Sequence, residues 1–433
     1  MGQMNLKTIL LEINKESAAL EYLSKLVKSG PFKNKVFLAG GSPRDMQLGM
    51  TPKDLDVVVK GDVNAGIDFA NWATKEIGNH KEGSNPVVYP TYGTAKFTFK
   101  GVTFKGHDLS EIDVEAVAPR KEKYTPGNRK PQVSGGELED DVHRRDFTVN
   151  SLLHDLTTGE TLDLTGMGKD DIKAGIVRTP LDPDVIFSDD PLRILRAARF
   201  TAKYNWKLPM FMLRSIKRNA AQLTNISKER IHDETNKMLL TDYPFKAFRI
   251  LQILGLMKYV FPSLDGVDLT HMKDEITLKK DLTLRLIATL KNIPPSRIQS
   301  EMSNLRYSAD IIKSVVMSLT RLSEFLKKAN NLTDDDLRTY RMEIPDYITY
   351  LFDYASVYVP SFNVNDINKR YNAISDEMGQ NPIPVNGEDL IRMGLEPGPD
   401  FKKYLNIIKN MYIRNPKTPP EEYLRVIHDE IPF

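Results

Sequence analysis

Hydrophobic periodicity changes character once along this chain, near residue 190, and that change narrows its fold class. Between residues 35 and 118 apolar runs of strand length alternate with helical stretches. VFLAG, DLDVVV and IDVEAVA read as strands, and residues 64–77 as a helix. The stretch from Gly93, GTAKFTFKGVTFKG, alternates apolar and polar residues and reads as a hairpin turning near Gly101. Beyond about 190 the apolar residues recur at helical spacing, in ILRAARFTAKYNW, KERIHDETNKMLL and FKAFRILQILGLMKYV. Residues 5–29 have the same spacing and read as one or two amphipathic helices. The expectation is an α+β chain, a mixed-sheet head followed by an all-helical remainder. With 433 residues it exceeds one ordinary core and needs two to four packing units.

Residues 120–140, rich in Gly, Pro, Lys and Arg, read as a mobile loop, because such a composition buries little surface. Pro- and Asn-rich breaks fall at 359–365 and 381–384, and a last helical unit spans 399–427. No run of about eighteen apolar residues occurs, so no membrane span is expected. The N-terminus lacks the charged-then-apolar order of a secretory signal. Cysteine is absent, which excludes disulfides and thiolate metal sites; the expected compartment is cytoplasmic. Net charge is only +2, from 60 basic and 58 acidic residues. Acidic residues gather near Asp54, Glu115, Asp140 and Asp189, and basic ones at 120–130 and 193–230. A chain that carries acidic metal ligands in one place and grips RNA in another would look nearly neutral in sum.

The chemistry concentrates in LAGGSPRDMQLGMTPKDLDVVV, residues 38–59. It reads as strand, glycine turn, helix start and second strand. Residues two apart on a strand share a face, so Asp54 and Asp56 point together while Leu55, Val57 and Val59 enter a core. A DxD pair alone is a weak signal; Asp182/Asp184 and Asp334/Asp336 share the spacing without this context. Carboxylates set close together in an apolar strand repel unless a cation joins them, and a pair of Mg2+ ions would resolve this. Gly40 and Gly41 let backbone N–H groups approach phosphates, and Arg44 can pair with one. The bland alternative for Arg44-Asp45 is a helix cap with a surface ion pair.

These residues, GGSPRD…PKDLDVVV, resemble the signature of the class II CCA-adding enzymes and bacterial poly(A) polymerases. Further motifs follow in that family's order: RRDFTVNS at 144–151, DDPLRILRAARF at 189–200 and SKERIHDE at 227–234. VNGEDLIRMGLEPGPDFKKYL at 385–405 is similar to a segment near the end of many bacterial members. The resemblance implies a nucleotidyltransferase head over 1–155, a helical neck that recognises the base over 156–240, a helical body over 241–360 and a tail over 361–433, elongated in arrangement. It implies addition of CCA to tRNA 3′ ends from CTP and ATP with two Mg2+ ions, and contact with the acceptor stem and T-loop. A poly(A) polymerase or a CC- or A-only adder shares nearly every residue named. A non-catalytic RNA-binding homologue would be expected only had Asp54 or Asp56 been lost.

Carried across residue by residue, the resemblance makes Asp54 and Asp56 the metal ligands. It makes Glu115 the third carboxylate, with Asp113 as its rival, because EAVAPR departs from the family's EVTTFR. Arg120, Glu122, Tyr124 and Arg129 match the family's flexible loop. Arg145, Asp146 and Asn150 would lie near sugar and phosphates. Asp189, Asp190 and Arg193 would read the base, their acceptors and donors imitating a Watson–Crick edge. Asp190 and Arg193 are expected at i, i+3 on one helix face. Arg196 and Arg199 extend that face, Arg199 either as a second nucleotide contact or as a partner of Glu229, and Arg230 closes the neck. Four histidines precede an aspartate, but beyond residue 240 the chain holds only His271 and His428, too few for a His-Asp metal centre.

Overall fold

The computed structural model describes residues 14–77, 85–90, 93–125 and 128–430. The helix expected over 5–13 lies outside them. Two compact units divide the chain: Met1–Glu234 with Lys246–Tyr259, and Thr235–Phe245 with Val260–Phe433.

The first unit is built on a sheet. In chain order it carries α1 (Lys15–Ser29), β1 (Val36–Leu38), α2 (Gly41–Gln47), β2 (Leu55–Val59), α3 (Ala65–Glu76), β3 (Val87–Tyr89), β4 (Thr94–Thr98), β5 (Thr103–Phe104), β6 (His107–Asp108) and β7 (Asp113–Val117). There follow β8 (Arg120–Thr125), β9 (Asn128–Gly135), α4 (Leu138–His143), β10 (Leu153–Asp155), β11 (Thr161–Leu162), α5 (Gly168–Ala174), α6 (Pro183–Asp189), α7 (Leu192–Tyr204) and α8 (Met210–Asn219). The strand order is β11-β10-β1-β2-β7-β4-β3. β2 and β7 are parallel, and the other neighbours antiparallel.

One sheet face is sealed by α1 and α3. Ala18, Leu23 and Val27 of α1, and Phe69, Ala70 and Ala73 of α3, close over Leu55, Val57, Val59, Val114 and Ala116. At the β-strand period these core residues leave Asp56 and Val58 on the other face. There Val58 packs with Phe37, Leu153 and, from α4, Leu138 and Val142. That smaller layer covers only part of the face, and Asp56 stands beyond it. Gly66 admits α3 against β7: a Cβ would meet the Ala116 carbonyl oxygen and Val117 Cα, each at 2.8 Å.

Two local expectations need correction. β4 does not form a hairpin with the segment after Gly101. It pairs with β3 and β7, while β5 and β6 close a separate turn through Lys105 and Gly106, both at positive φ. Alternating residues specify a strand but not its partner. Of residues 120–140, expected as a loop, 120–125 and 128–135 form the antiparallel pair β8–β9, with an irregularity between Lys123 and Thr125, and α4 begins at Leu138. Composition speaks to burial only, whereas a two-stranded ribbon satisfies its backbone through its own ladder. α4 lies against β8, and Lys121 pairs with Asp140 of α4 at 3.4 Å.

α9 (Lys228–Leu239) and α10 (Pro244–Ile253) each contribute residues to both units. Beyond them the second unit is helical throughout its described residues: α11 (Leu282–Leu290), α12 (Pro295–Asn304), α13 (Ala309–Lys328), α14 (Asp334–Glu343), α15 (Ile348–Tyr358), α16 (Val364–Gln380), α17 (Gly387–Arg392), α18 (Pro399–Arg414) and α19 (Pro420–Glu430). The breaks at 359–363 and 381–386 fall where the Pro- and Asn-rich segments lie. Phe325 anchors the core of this unit among Tyr340, Phe352 and Phe362. Glu343 binds both Arg321 and Lys409, at 2.7 and 2.8 Å. Glu377 binds Arg338 and Lys417, each at 3.2 Å. Among the described residues no helix is long and apolar enough to cross a membrane.

Candidate active site

The site begins where β1 gives way to α2. Gly40 has φ 72, a region costly for any other residue, and a Cβ there would stand 3.5 Å from Asp56 Oδ2. Glycine is thus required by the turn, while the distance to Asp56 is one that a Cβ could take in ordinary contact. Ser42 Oγ donates to the Asp54 carbonyl at 2.6 Å, tying the turn to the approach of β2.

Parallel pairing of β2 with β7 sets Asp56 directly beside Glu115. Asp113, the rival carboxylate, is held by Lys96 at 2.6 Å. Asp54 lies just ahead of β2, exposed, and is not among the residues lining the cleft. It is nonetheless close enough to act electrostatically. Desolvation, then the charges of Glu115 and Asp54, push the Asp56 carboxyl up to about 6 against the opposing pull of Arg145. The set is thus short of positive charge. Among the described residues no group of three or more acidic or histidine side chains converges tightly enough to hold a metal by itself. Mg2+ commonly takes one or two carboxylates and fills its shell with water and phosphate oxygens, so hard oxygen donors of this kind fit it.

From Asp56 a cleft of about 440 Å3 opens between the glycine turn and α7. Of the candidates, Gly40, Gly41, Arg44, Asp56, Arg145, Asp146, Asn150, Asp190, Arg193, Arg196 and Arg230 line it. Glu115 lines a smaller recess of about 160 Å3 that shares Gly40, Asp56 and Arg145. Asp189 and Arg199 do not line the cleft, and Arg120, on β8, does not either. The side chains of Glu122, Tyr124 and Arg129 lie outside the described ones.

A chain of charge-assisted hydrogen bonds holds the walls. Arg144 and Arg145 both grip the buried Asp141, at 2.5 and 2.8 Å. Burial would raise that carboxyl, but the two guanidinium groups outweigh it and hold it below its ordinary range. Asp146 behaves likewise: burial is outweighed by Arg196, which donates Nε and a terminal nitrogen at 2.8 and 2.6 Å. Asn150 Nδ2 donates to the other oxygen of Asp146 at 2.8 Å.

Asp190 and Arg193 do not share a helix face. Asp190 ends α6, Pro191 starts the next turn, and α7 opens at Leu192. Proline after Asp190 ends one helix and seeds another, which i, i+3 spacing alone does not reveal. Asp190 accepts from the Leu192 N–H at 3.2 Å where α7 begins, and Arg230 donates to both its oxygens at 3.1 and 2.8 Å. Arg193 is buried and donates to the carbonyls of Ile186 and Arg144, at 3.3 and 3.0 Å. Arg199 binds Glu234 at 2.6 Å, not the expected Glu229. Glu234, on α9, also receives Arg196 at 3.5 Å. The Arg44–Asp45 pair is not on the surface: its side chains are only 5% and 11% exposed.

Asp45, Asp141, Phe200, Tyr204 and Glu234 belong to this constellation and were not among the candidates. α7 carried a signal for two of them. Arg193, Arg196, Phe200 and Tyr204 follow at i, i+3, i+7 and i+11, a single helical stripe.

A sheet-based head with this carboxylate pair and cation-lined cleft defines a nucleotidyl-transfer type of domain. Residues 36–178 match the model of the poly A polymerase head domain. Residues 212–267 match "Probable RNA and SrmB-binding site of polymerase A", and 276–416 a second tRNA nucleotidyltransferase domain. The tRNA nucleotidyltransferase cca1 of Schizosaccharomyces pombe is 26% identical over 96% of this chain and 97% of its own length. The mitochondrial CCA tRNA nucleotidyltransferase of Saccharomyces cerevisiae is 33% identical over 52% of this chain and 42% of its own. The solved CCA-adding enzyme of Bacillus stearothermophilus in complex with CTP superposes with a TM-score of 0.70 at 19% identity, covering 96% of this chain and 98% of that one. The chain belongs to the tRNA nucleotidyltransferase and poly(A) polymerase family, and it is an enzyme of nucleotidyl transfer.

Proposed function

We propose that the chain adds CCA to the 3′ end of tRNA from CTP and ATP, without a nucleic-acid template. The observation that carries the chemistry is Asp56 beside Glu115 at one end of a cleft whose far wall bears Asp190, Arg193 and Arg230. In the reaction the RNA 3′-oxygen forms a bond to the α-phosphorus, the bond to the bridging β-oxygen breaks, and pyrophosphate leaves. Asp54 and Asp56 would hold Mg2+, with Glu115 alongside; bound there, two such ions would acidify the 3′-hydroxyl and neutralise the leaving pyrophosphate.

The chain's own residues position the reactants. Gly40 and Gly41 let the backbone approach the triphosphate, and Arg145 adds a cation between that turn and Asp56. Asp146 and Asn150 face the sugar. Asp190 and Arg193 face the base, with an acceptor for an exocyclic amine and donors for the neighbouring ring positions. Arg230, bonded to both oxygens of Asp190, holds that carboxylate in place for the base. The helical second unit would meet the tRNA acceptor stem and T-loop through phosphate, shape and 2′-hydroxyl contacts. A cytoplasmic setting goes with this reading through the cysteine-free composition.

Purified protein given tRNA that ends before CCA, with CTP and ATP singly and together, is expected to add two C and then one A. A long adenylate run would make it a poly(A) polymerase, and arrest after CC or need for a CC end would make it a partial adder. Asp56→Ala should lower the rate at least about 1000-fold. Retained transfer in that variant would remove the reading.

A further inference from the structure

The bonds beneath the cleft close on themselves, and one member of the circuit is an aromatic residue that does not line the cleft. Tyr204, the last residue of α7, donates its hydroxyl to Asp45 Oδ1 at 3.1 Å. The same oxygen accepts Arg44 Nε at 2.8 Å and a terminal nitrogen at 2.6 Å. The other terminal nitrogen of Arg44 donates to Asn150 Oδ1. Asn150 then holds Asp146, and Asp146 receives Arg196, two turns back along α7. The circuit therefore leaves α7 at Tyr204, crosses α2 and the segment around Asn150, and returns to α7 at Arg196.

The ring of Tyr204 adds a second constraint. The Arg44 guanidinium lies 4.9 Å from its centroid and 5.3 Å from that of Phe200. Trp206 stacks on Tyr204 at 4.5 Å and 25°. Arg44 is only 4% exposed, so its donors have little water to fall back on. Burial keeps the phenol in its protonated, donating form. A planar guanidinium over aromatic faces, with its fork committed to Asp45, has one orientation. That orientation aims its other terminal nitrogen at Asn150.

We infer that Tyr204 is a positioning residue for nucleotide binding: through Asp45 and Arg44 it fixes Asn150 and Asp146, the two groups that face the sugar. This rests on the nucleotidyl-transfer reading for what Asn150 and Asp146 contact, but the orientation of Arg44 is a property of the free protein. Tyr204→Phe keeps the ring over Arg44 and removes only the bond to Asp45. Tyr204→Leu removes both constraints.

The test measures CTP and ATP binding by calorimetry, steady-state addition to tRNA lacking CCA, thermal unfolding, and hydrogen exchange of the Arg44 Nε–H in selectively labelled free protein. Tyr204→Phe is expected to weaken CTP and ATP about 3- to 10-fold with a smaller change in kcat, the size of one lost hydrogen bond. Tyr204→Leu should weaken them about 10- to 100-fold, so that phenylalanine is a partial rescue, and should speed Arg44 exchange. tRNA affinity should not move. A purely structural residue would lower the melting temperature while nucleotide Kd and Arg44 exchange stayed as in the wild type, and that result overturns the inference. Should the wild type bind neither nucleotide, the proposed function falls, and unchanged or accelerated Arg44 exchange in Tyr204→Leu still decides whether Tyr204 orients Arg44.

Discussion

At the scale of single residues, Asp56 is a group whose charge the fold resists. Its folded pKa of about 6 stands above the ordinary 3.8. A carboxyl raised in this way lends stability while it is protonated, and loses that contribution as pH climbs through about 6. Asp56→Asn, which cannot ionise, should therefore be more stable than the wild type at pH 7.5 in chelator, and the gap should close below about pH 4. Each pKa unit corresponds to about 1.4 kcal/mol, and the solvent contact of Asp56 reduces the expected gain to about 1 kcal/mol. Urea unfolding at the two pH values checks this. Mg2+ at pH 7.5 should raise the melting temperature of the wild type and leave that of Asp56→Asn nearly unchanged. The placement of Asp56 away from the core was legible in DLDVVV, because apolar neighbours at odd steps leave it nowhere else to point. Its partner was less so. Glu115 and Asp113 share a face of β7, and only the register against β2 separates them.

At the scale of elements, the junction of α6 with α7 and the seat of α3 on β7 carry the sharpest expectations. Arg230→Met removes the guanidinium that donates to both oxygens of Asp190, leaves that carboxylate unoriented, and should weaken CTP and ATP about 10-fold while the head stays folded. Nucleotide titration with circular dichroism as a control reads both. Gly66→Ala places a methyl 2.8 Å from the backbone of β7 and should cost about 1–3 kcal/mol of stability by denaturant unfolding. The helices and main strands were readable because their apolar spacing is regular. The excursion β5–β6 and the ribbon β8–β9 were not, since backbone ladders leave little mark on composition. The α6–α7 break was written in Pro191, but a motif that runs through it, DDPLRILRAARF, disguises it as one helix.

At the scale of the whole molecule, several cations of the helical unit are tied to carboxylates, and this bears on RNA. Arg321, Lys409, Arg338 and Lys417 are committed to Glu343 and Glu377. With those four cations already engaged, tRNA affinity should fall only moderately with salt, with a log–log slope of about −3 to −6. Filter binding from 50 to 300 mM salt measures it; the triphosphate site, being local, should show a separate and shallower dependence. The division into a sheet-bearing part and an all-helical part was visible as the change in periodicity near 190, whereas the sharing of α9 and α10 between units was not, because it depends on tertiary packing alone. The lateral match of β2 with β7 joins segments some sixty positions apart into one lattice. Because alternate residues face opposite ways, sliding either strand by a single step would bury the acidic pair and strip the core of its valines together. Insertions within those strands should thus abolish folding and chemistry at once, whereas extra residues between β8 and β9 should leave the lattice intact.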